Sequence, residues 1–546
     1  QFEHGLKYHI KVNKIPENRV AFRLLVRAGS VLEDEDQRGL AHFAEHMLFN
    51  GGKNFTRDEL IQYLNSIGMG YAAGLNAFTS YDQTVYKLSS PTDDPLKLRN
   101  AFKILADWAH QASFTEDYLE KERKIILEEY RRGQGWGERV YDKLYKVLLK
   151  DSQFTERSPI GTHEVLTTFK RDAIVRFYND WYRPDLQEIV IVGDINPEQM
   201  IGFLKEYLEV IPKKTNPRPK PKFPIPVQNI PMAAVTTDSE APLTMVNVFI
   251  KNDRLEYQTI QDLYIDMAIE LCNTMLNSRF EELAKQPDAP FSMAYSRYSN
   301  LFSDKSTIKL MGISSEKKIN ATTIALLSEL QRVIQHGFTM GELDLAINQV
   351  LREAETKNLE KDRQPSEEYI NNLTSYLFQN YQIVDPEVEL MFKTNLVSQM
   401  PLEVLNMIFT QLISSEDLVI NVIGPQKEGL IYPTETELLA IYHDVENQEF
   451  EAYVDDVVLE PFMAELPSPI KIKTEKIFPK TNIKLWTLPN GIKIYSKKTD
   501  FKQDEILFKA ASPGGFAQYS PDDIVAAQLS GYIVSESGFG EFDGTR

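Results

Sequence analysis

Short apolar runs and longer amphipathic stretches alternate along the first part of the chain. Short apolar or alternating runs, bounded by turn formers, predict β-strands, at Leu6–Lys11, Val20–Arg27, Leu75–Ser80, Thr84–Ser89 and Glu188–Val192. Stretches in which apolar residues recur at helical spacing predict helices, at Gly39–Phe49, Arg57–Ser66, Asp94–Gln111 and Thr115–Leu149. This mixture of strands and helices indicates a unit of the α+β class.

A stretch rich in proline and lysine, Pro212–Pro231, is typical of an extended linker between domains. The pattern that precedes it partly returns after it. A Phe-Thr pair opens a long charged helix at Phe114-Thr115 and again at Phe338-Thr339, and the strand Glu188–Asp194 has a counterpart in Leu418–Gly424. These matches predict two homologous α+β domains in tandem, at residues 1–220 and 221–435.

A third copy of the pattern begins near Asn482. Its hairpin Leu488–Lys498 resembles the opening hairpin of the chain, and Leu507–Gln518 resembles Leu24–Glu35. The acidic region before it predicts a linker at residues 436–480, followed by the start of a truncated third domain at 481–546. Because one hairpin and one helix cannot bury the face of a sheet, we expect the chain to be a fragment of a longer protein.

Composition and charge limit the classes of function that the chain can have. The net charge is −19, from 60 Lys and Arg against 79 Asp and Glu, whereas binding to nucleic acid or to an anionic membrane needs a basic face. No apolar run approaches the ~20 residues of a membrane-spanning helix. The lone cysteine, Cys272, excludes an intrachain disulfide and a Cys-based zinc finger or iron–sulfur site. Any bound metal therefore needs histidine and carboxylate ligands.

The helix predicted at Gly39–Phe49 contains the sequence His-Phe-Ala-Glu-His, with His42, Glu45 and His46. Histidines four residues apart stand one above the other on a helix, so both rings can bind one metal ion. Glu45 lies near the same face, where it can take a proton from a water held by the metal. This H-x-x-E-H order is that of the inverzincins.

Two histidines at this spacing also occur on ordinary helix surfaces, where solvent or local hydrogen bonds satisfy them. The apolar neighbours of this pair favour burial instead, and burying two imidazoles and a carboxylate without partners costs several kcal/mol, which a metal would offset. A third ligand has to come from elsewhere in the chain. Glu122 and Glu129, two turns apart on the helix that begins at Thr115, are candidates, and the alternative there is an acidic face exposed to solvent.

Four stretches of the chain resemble, in the same order, the pitrilysin and insulin-degrading family of zinc peptidases. They are Arg27–Gly51, Leu75–Tyr86, Glu120–Arg132 and Phe177–Ile195. An ordered set of this kind is far more specific than the five-residue motif alone. Within the family, the chain is most similar to the bacterial periplasmic proteases of the PqqL type.

The resemblance implies a role for individual residues. It implies one Zn2+ per chain, with His42, His46 and Glu129 as ligands. Glu45 matches the general base, and Glu122 matches a second, supporting catalytic acid. Glu128 becomes the third ligand if the alignment slips by one position.

The stretch Asn76, Ala77, Phe78 and Thr79 matches the family's edge strand, which pairs with the backbone of the substrate. Strand addition supplies main-chain hydrogen bonds to an extended peptide, largely regardless of its sequence. The alternative is an ordinary edge strand that other parts of the protein cover.

The family's fold is a clamshell of four homologous α+β domains, with mostly antiparallel sheets covered by helices and with zinc in the first domain. The resemblance therefore implies the first half of a clamshell peptidase. Its partners would be peptide substrates and the missing C-terminal half of the same protein, with no nucleic acid and no membrane span. In the third copy, Ile524, Ala527 and Gln528 stand where the metal motif would fall, so we expect no metal site there.

The implied function is that of a zinc metalloendopeptidase, which hydrolyses peptides or small unfolded proteins with a zinc-bound water activated by Glu45. Because the family's second half supplies substrate-binding groups, low activity is expected of this chain by itself. A non-catalytic peptide-binding or assembly subunit of the same fold is the alternative, and a zinc hydrolase acting on other substrates is only weakly excluded. The resemblance implies the bacterial periplasm or cell envelope as the location, and a soluble cytoplasmic protein is the other expectation.

Overall fold

The first unit is built on a five-stranded sheet. The computed structural model describes residues 1–69, 77–133, 135–379, 384–397, 399–455, 465–502 and 505–538. The strands of the first unit are β1 (Lys7–Val12), β2 (Arg19–Val26), β3 (Ala77–Thr79), β4 (Thr84–Pro91) and β5 (Gln187–Gly193). They stand in the order β1-β5-β2-β4-β3, with β1 and β5 parallel and the other neighbours antiparallel. β1 and β3 stand at the two edges of this sheet, and the start of the strand predicted at Leu75–Ser80 lies outside the described residues.

Eight α-helices lie among the described residues of the first unit. They are α1 (Leu40–Met47), α2 (Arg57–Ser66), α3 (Pro95–His110), α4 (Glu116–Arg132), α5 (Trp136–Leu148), α6 (His163–Thr168), α7 (Arg171–Trp181) and α8 (Pro197–Tyr207). The side chains of Thr56, Asp94 and Asn196 cap α2, α3 and α8, which stabilises each helix start by about 1 kcal/mol. The single helix predicted over Thr115–Leu149 is two helices in the structure, because glycines at 133 and 135 interrupt the helical sequence.

The second unit repeats the first sheet strand for strand. Its strands are β6 (Met232–Asp238), β7 (Thr244–Asp253), β8 (Met293–Asn300), β9 (Lys305–Ser314) and β10 (Leu418–Pro425). They stand in the order β6-β10-β7-β9-β8, again with the first and last strands parallel. Strands β5 and β10, which the sequence matches to each other, hold the same place in the two sheets. The prediction of tandem α+β units is confirmed.

Several helices belong to the described residues of the second unit. They are α9 (Ile260–Lys285), α10 (Ile319–His336), α11 (Met340–Glu360), α12 (Ser366–Gln379), α13 (Pro386–Val397), α14 (Leu402–Ile413) and α15 (Glu435–Glu446). Helix α15 occupies residues that the sequence places in the linker at 436–480. It packs on α10 and β6, where its Leu438 and Val445 are buried in the hydrophobic core of the second unit. Residues 436–446 therefore belong with the second unit.

Each unit covers one face of the other unit's sheet with a helix. Helix α12 lies across β2 and β5 of the first sheet, where Ile370 is fully buried together with Leu25 and Val85. Conversely, α5 lies across β6 and β10 of the second sheet, where Leu144 shares a buried cluster with Phe249. Because the exchanged helices bury apolar sheet faces, the two units cannot separate without exposing both faces to water.

The proline-rich stretch predicted as a linker follows the surface of the first unit. Arg218 donates to Asp34 at 2.7 and 3.0 Å and stacks on Trp181 with 5.2 Å to the ring centre. Lys220 donates to the carbonyl of Arg27 at 2.7 Å, and Ile225 is only 2% exposed. The stretch is therefore an extended strap anchored to the first unit.

The described residues of the third segment form three strands and one α-helix. They are β11 (Thr474–Phe478), β12 (Ile483–Thr487), β13 (Lys493–Ser496) and α16 (Ile524–Glu536), and the strands pair antiparallel. The sheet begins at residue 474, before the start predicted at 481. Large apolar side chains of this segment stay exposed, among them Ile477 at 52% and Ile533 at 56%. The described residues therefore leave its sheet and helix largely uncovered.

No single helix among the described residues is both long and apolar enough to cross a membrane. Helices α13 and α14 reach the required length and composition only when taken together, and they are bent by 106° relative to each other. In the second unit, Leu405, Phe409 and Ile413 of α14 are buried in the core.

Candidate metal centre

Helix α1 begins at a left-handed glycine beside a buried acid. Gly39 has a φ of +101°, and a Cβ there would lie 2.9 Å from the Cα of Gly161, so only glycine fits without strain. The carboxyl group of Glu33, which is 3% exposed, accepts the backbone N–H groups of Gly39 at 2.9 Å and Ala41 at 2.7 Å. These contacts fix the start and the rotation of α1.

One face of α1 is packed in the core, and the other carries the two histidines. Leu40, Phe43 and Met47 have no exposed surface, whereas the side chains of His42 and His46 remain 20% and 19% exposed. Their ring centres lie 4.7 Å apart, because residues four apart are neighbours on a helix.

Glu129 of α4 meets the two histidines and completes a group of three donors. Its Oε2 lies 3.9 Å from Nε2 of His42 and 3.4 Å from Nε2 of His46. Donors bonded at about 2.0–2.1 Å to a tetrahedral zinc stand roughly 3.4 Å apart, so the three side chains fit such an ion. Within the described residues, no other three His, Cys, Asp or Glu side chains form a group of this kind.

The neighbouring acid, Glu128, is held away from the histidines. Its oxygens accept from Arg131 at 2.7 and 2.8 Å and from Arg132 at 2.7 Å. Hydrogen bonds from these two arginines lower the pKa of Glu128 to about 2. The structure therefore brings Glu129, and not Glu128, to the two rings, and the assignment of Glu129 as a metal ligand stays a prediction.

Burial and charge act differently on the two histidines. Burial lowers the pKa of His42 to about 3, with a further contribution from His46, so this imidazole is neutral at pH 7, as a metal ligand must be. Burial also lowers the pKa of His46, but the hydrogen bond to Glu122 and the charges of Glu129, Glu45 and Glu122 outweigh it and raise that pKa overall. Acidic neighbours thus favour a positive charge at this position, which a metal cation supplies.

Glu122 and Asn50 form a second layer behind His46. Nδ1 of His46 lies 2.9 Å from Oε1 of Glu122, whose Oε2 accepts from Nδ2 of Asn50 at 3.1 Å. Asn50 also donates to the carbonyl of His46 at 3.1 Å and accepts from Nε of Arg57 at 3.1 Å. A carboxylate bonded to the second ring nitrogen orients an imidazole towards a metal. Glu122, predicted as a supporting acid, lies where it can do this.

Asn50 has no role in the sequence prediction. Its one sequence signal is its position four residues after His46, which places it on the same side of the helical turn. Only the approach of Glu122, 72 residues away in the chain, shows what the Asn50 amide binds.

Glu45 lies beside the metal-binding group and contacts the edge strand. Its side chain is largely buried, at 7% exposed, and its Oε2 accepts from Oγ1 of Thr79 at 2.5 Å. Burial raises the pKa of Glu45 to about 6, although the Thr79 hydrogen bond opposes the shift. A carboxyl group with a pKa near neutrality suits a general base.

Strand β3 places three of the four residues predicted to bind substrate. Ala77, Phe78 and Thr79 pair with β4 on one side, and no strand among the described residues pairs with the other side. Successive side chains of a strand point to opposite faces, so Thr79 contacts Glu45 while Phe78, 40% exposed, lies on the other face. Asn76 lies outside the described residues.

Two family models match the chain in succession. Residues 9–156 match the model described as insulinase, peptidase family M16, and residues 168–350 match the model described as the inactive domain of the same peptidase family. The chain belongs to peptidase family M16. This is the family of insulin-degrading enzymes that the sequence resembles, and the first match contains His42, Glu45, His46 and Glu129.

Relatives of the same family match almost the whole chain. The zinc protease PQQL-like of Arabidopsis thaliana is 26% identical over 540 residues, which are 98% of this chain and 54% of that protein. The probable zinc protease PqqL of Haemophilus influenzae is 25% identical over 544 residues, which are 99% of this chain and 58% of that protein. The chain therefore spans little more than half the length of these relatives.

A solved structure shares the fold. The first half of the periplasmic protease PqqL from Escherichia coli aligns with a TM-score of 0.77 and 24% identity, over 83% of this chain and 97% of that one. At this identity the likeness shows the fold alone. The predicted fold class, with helices covering the sheets in repeated domains, is confirmed.

The second unit lacks the metal motif at the matching place. Helix α9 follows β7 in the chain as α1 follows β2, yet it has no H-x-x-E-H sequence. Cys272 in α9 is fully buried in the second core instead. The second insulinase-family unit thus keeps the fold of the first but not its donor set.

Proposed function

We propose that this chain carries the catalytic site of a zinc metalloendopeptidase, which hydrolyses peptides or small unfolded proteins. The observation that carries the proposal is the convergence of His42, His46 and Glu129 beside Glu45. The histidines and Glu45 lie on α1, and Glu129 lies on α4, which begins about seventy residues later in the chain. Glu129 lies within 3.9 Å of both rings, whereas its neighbour Glu128 is bound by Arg131.

The chain's own residues have distinct roles in this proposal. His42, His46 and Glu129 would hold one Zn2+, which supplies Lewis-acid chemistry and lowers the pKa of a water when bound. Glu45 takes the proton of the attacking water and passes it to the leaving amine. Glu122 holds the ring of His46 in place, and it acts as a positioning residue.

The substrate would bind as an extended peptide along the open side of β3. Backbone N–H and C=O groups of Ala77, Phe78 and Thr79 would pair with the peptide, as in other complexes that add a strand to a sheet. Because Thr79 also donates to Glu45, the strand that receives the substrate is joined directly to the base. The remainder of the protein would supply further substrate-binding groups.

The compartment is proposed from a relative. The PqqL protease of Escherichia coli is described as periplasmic, and we infer a periplasmic or cell-envelope setting for this chain. Fractionation of the producing cells, followed by immunodetection, tests this point, and detection only in the cytoplasmic fraction would contradict it.

Zinc content and peptide cleavage test the proposal together. In the complete protein, Glu45→Gln should retain one zinc per chain but lose cleavage of a quenched fluorogenic peptide. His46→Ala should lose zinc and Glu129→Gln should bind it more weakly, whereas the matched control Glu128→Gln should keep the wild-type affinity. Normal turnover in Glu45→Gln would contradict the role of the base, and full zinc occupancy in His46→Ala would contradict the ligands.

A zinc-loaded wild-type protein that binds peptides without cleaving them would favour the alternative function. That alternative is a peptide-binding or assembly subunit with the same fold. The second family match, to a domain described as inactive, spans residues 168–350, which include part of the second unit but not the donor set of the first.

A further inference from the structure

Glu129 is the most exposed member of the metal-binding group. Its side chain is 43% exposed, against 20% for His42 and 19% for His46. The fully buried contacts of α4 end at Ile126, one turn before Glu129. The packing of α4 in the first unit therefore holds the final turn, which carries Glu129, less firmly than the middle of the helix.

The turn that carries Glu129 leads directly into α5. Helix α4 ends at Arg132 and α5 begins at Trp136. The backbone N–H of Gly133 donates to the carbonyl of Glu129 at 2.5 Å, so the position of the acid depends on where the chain continues after Gly133. Whatever fixes the start of α5 therefore also limits the positions that Glu129 can take.

The second unit holds the start of α5 through an ion pair. Arg139, in the first turns of α5, donates from Nε and from Nη2 to the two oxygens of Asp238, both at 2.6 Å. Nη2 also donates to Glu240 at 2.8 Å. Asp238 ends β6 and its side chain is 10% exposed. A bidentate arginine–carboxylate pair fixes both distance and angle, so it holds α5 against the second sheet.

The second unit also contacts α5 two turns later, at Tyr145. Phe302, in the turn between β8 and β9, has its ring centre 5.9 Å from that of Tyr145 on α5 and 4.7 Å from that of Tyr81. Tyr81 follows Thr79 by two residues, at the end of the edge strand. Aromatic pairs at these distances are stabilising, so a shift of α5 would break ring contacts with both units.

We propose that the second unit positions the third metal ligand, and that Arg139 and Asp238 are positioning residues for Glu129. The ion pair holds the junction between α4 and α5, and the junction holds the carboxylate of Glu129 within reach of His42 and His46. This rests on the proposed function in that it takes Glu129 as a zinc ligand. It assigns to the second unit, whose described residues include no comparable donor group, the role of positioning one ligand of the metal site.

Zinc affinity of the 546-residue chain tests this inference. In a competition with a chromophoric chelator, Asp238→Asn should lower the affinity by about tenfold, as loss of outer positioning contacts typically does. Asp142→Asn is the matched control, since Asp142 lies on α5 and its ion pair, at 2.8 Å, is with Lys146 of the same helix. An unchanged affinity in Asp238→Asn, or an equal loss in Asp142→Asn, would overturn the inference.

A double-mutant cycle separates positioning from general destabilisation. In a Glu129→Gln background, Asp238→Asn should have no further effect on zinc affinity, because the ligand that it positions is gone. An equally large loss in that background would overturn the inference. If Asp238→Asn does not fold, Arg139→Lys serves instead, since it keeps the charge but not the bidentate geometry, and it should show the same dependence on Glu129.

The zinc measurements on His46→Ala and Asp238→Asn also distinguish this inference from the proposed site itself. Failure of the proposed ligands would appear as zinc retained by His46→Ala. Failure of the positioning role alone would appear as zinc lost by His46→Ala together with wild-type affinity in Asp238→Asn.

Discussion

The hydroxyl of Thr79 donates to the carboxylate of Glu45 at 2.5 Å. This contact joins the edge strand β3 to the helix that carries both histidines, across 34 residues of sequence. Glu45 is 7% exposed, so this hydrogen bond holds a largely buried side chain. The strand proposed to receive the substrate thus also orients the proposed base.

Thr79→Val should slow peptide cleavage without releasing zinc. The substitution keeps the shape of the side chain but removes the donor, and a hydrogen bond to a charged group contributes about 1.5 kcal/mol, which corresponds to roughly tenfold in kcat/KM. Steady-state kinetics with a fluorogenic peptide and a zinc assay would measure both effects. Thr79→Ser should restore the rate. Wild-type kcat/KM in Thr79→Val would show that this contact does not orient the base.

Asn50→Ala should weaken zinc binding by about tenfold, because Glu122 loses a donor and orients His46 less well. Competition with a chelator measures the affinity. The matched control is Asn54→Ala, since Asn54 also donates to a carboxylate, that of Asp107 at 2.7 Å, which accepts no hydrogen bond from His46 or Asn50 among the described residues. Both variants should lose thermal stability, and only Asn50→Ala should lose zinc affinity. Equal affinities in the two variants would argue against the second layer.

Glu33 should make the stability of the protein fall as pH rises from about 5 to 8. Burial raises the pKa of Glu33 from 4.5 to about 8, although backbone hydrogen bonds oppose the shift. Between these values the folded protein holds a proton that the unfolded chain has released, so the free energy of unfolding decreases by at most about 1.4 kcal/mol per pH unit. Glu33→Gln should lack this dependence. Thermal unfolding of both proteins at pH 5 and pH 8 checks it, and a difference that stays constant with pH would contradict the assignment.

Ile370→Ala should destabilise both units together. Ile370 lies on a helix of the second unit but is fully buried on the sheet of the first, and such a truncation costs about 2–5 kcal/mol. Urea denaturation should show one transition at lower urea for the two units. Ile324→Ala, at a position 43% exposed, is the control and should change little. Two separate transitions in the wild-type protein would contradict the mutual covering of the sheets.

Much of the fold follows from local sequence patterns. Strands such as Arg19–Val26 and helices such as Arg57–Ser66 form where the spacing of apolar residues predicts them. The repeat of Glu188–Asp194 in Leu418–Gly424 correctly predicts equivalent strands in two sheets. The differences from the predictions lie at boundaries. Glycines divide the helix predicted over Thr115–Leu149 into two helices, and α15 forms inside the predicted linker because its apolar residues pack in the second core.

The sequence by itself determined the pairing of His42 with His46 and the presence of Glu45 beside them, because residues three and four apart on a helix are neighbours whatever the rest of the chain does. Only the tertiary structure shows Glu129, rather than Glu128, beside the two rings, Asn50 hydrogen-bonded to Glu122, and Ile370 buried on the sheet of the first unit. Those outcomes depend on how separate helices dock, and docking is set by the summed packing of many side chains that no local spacing encodes.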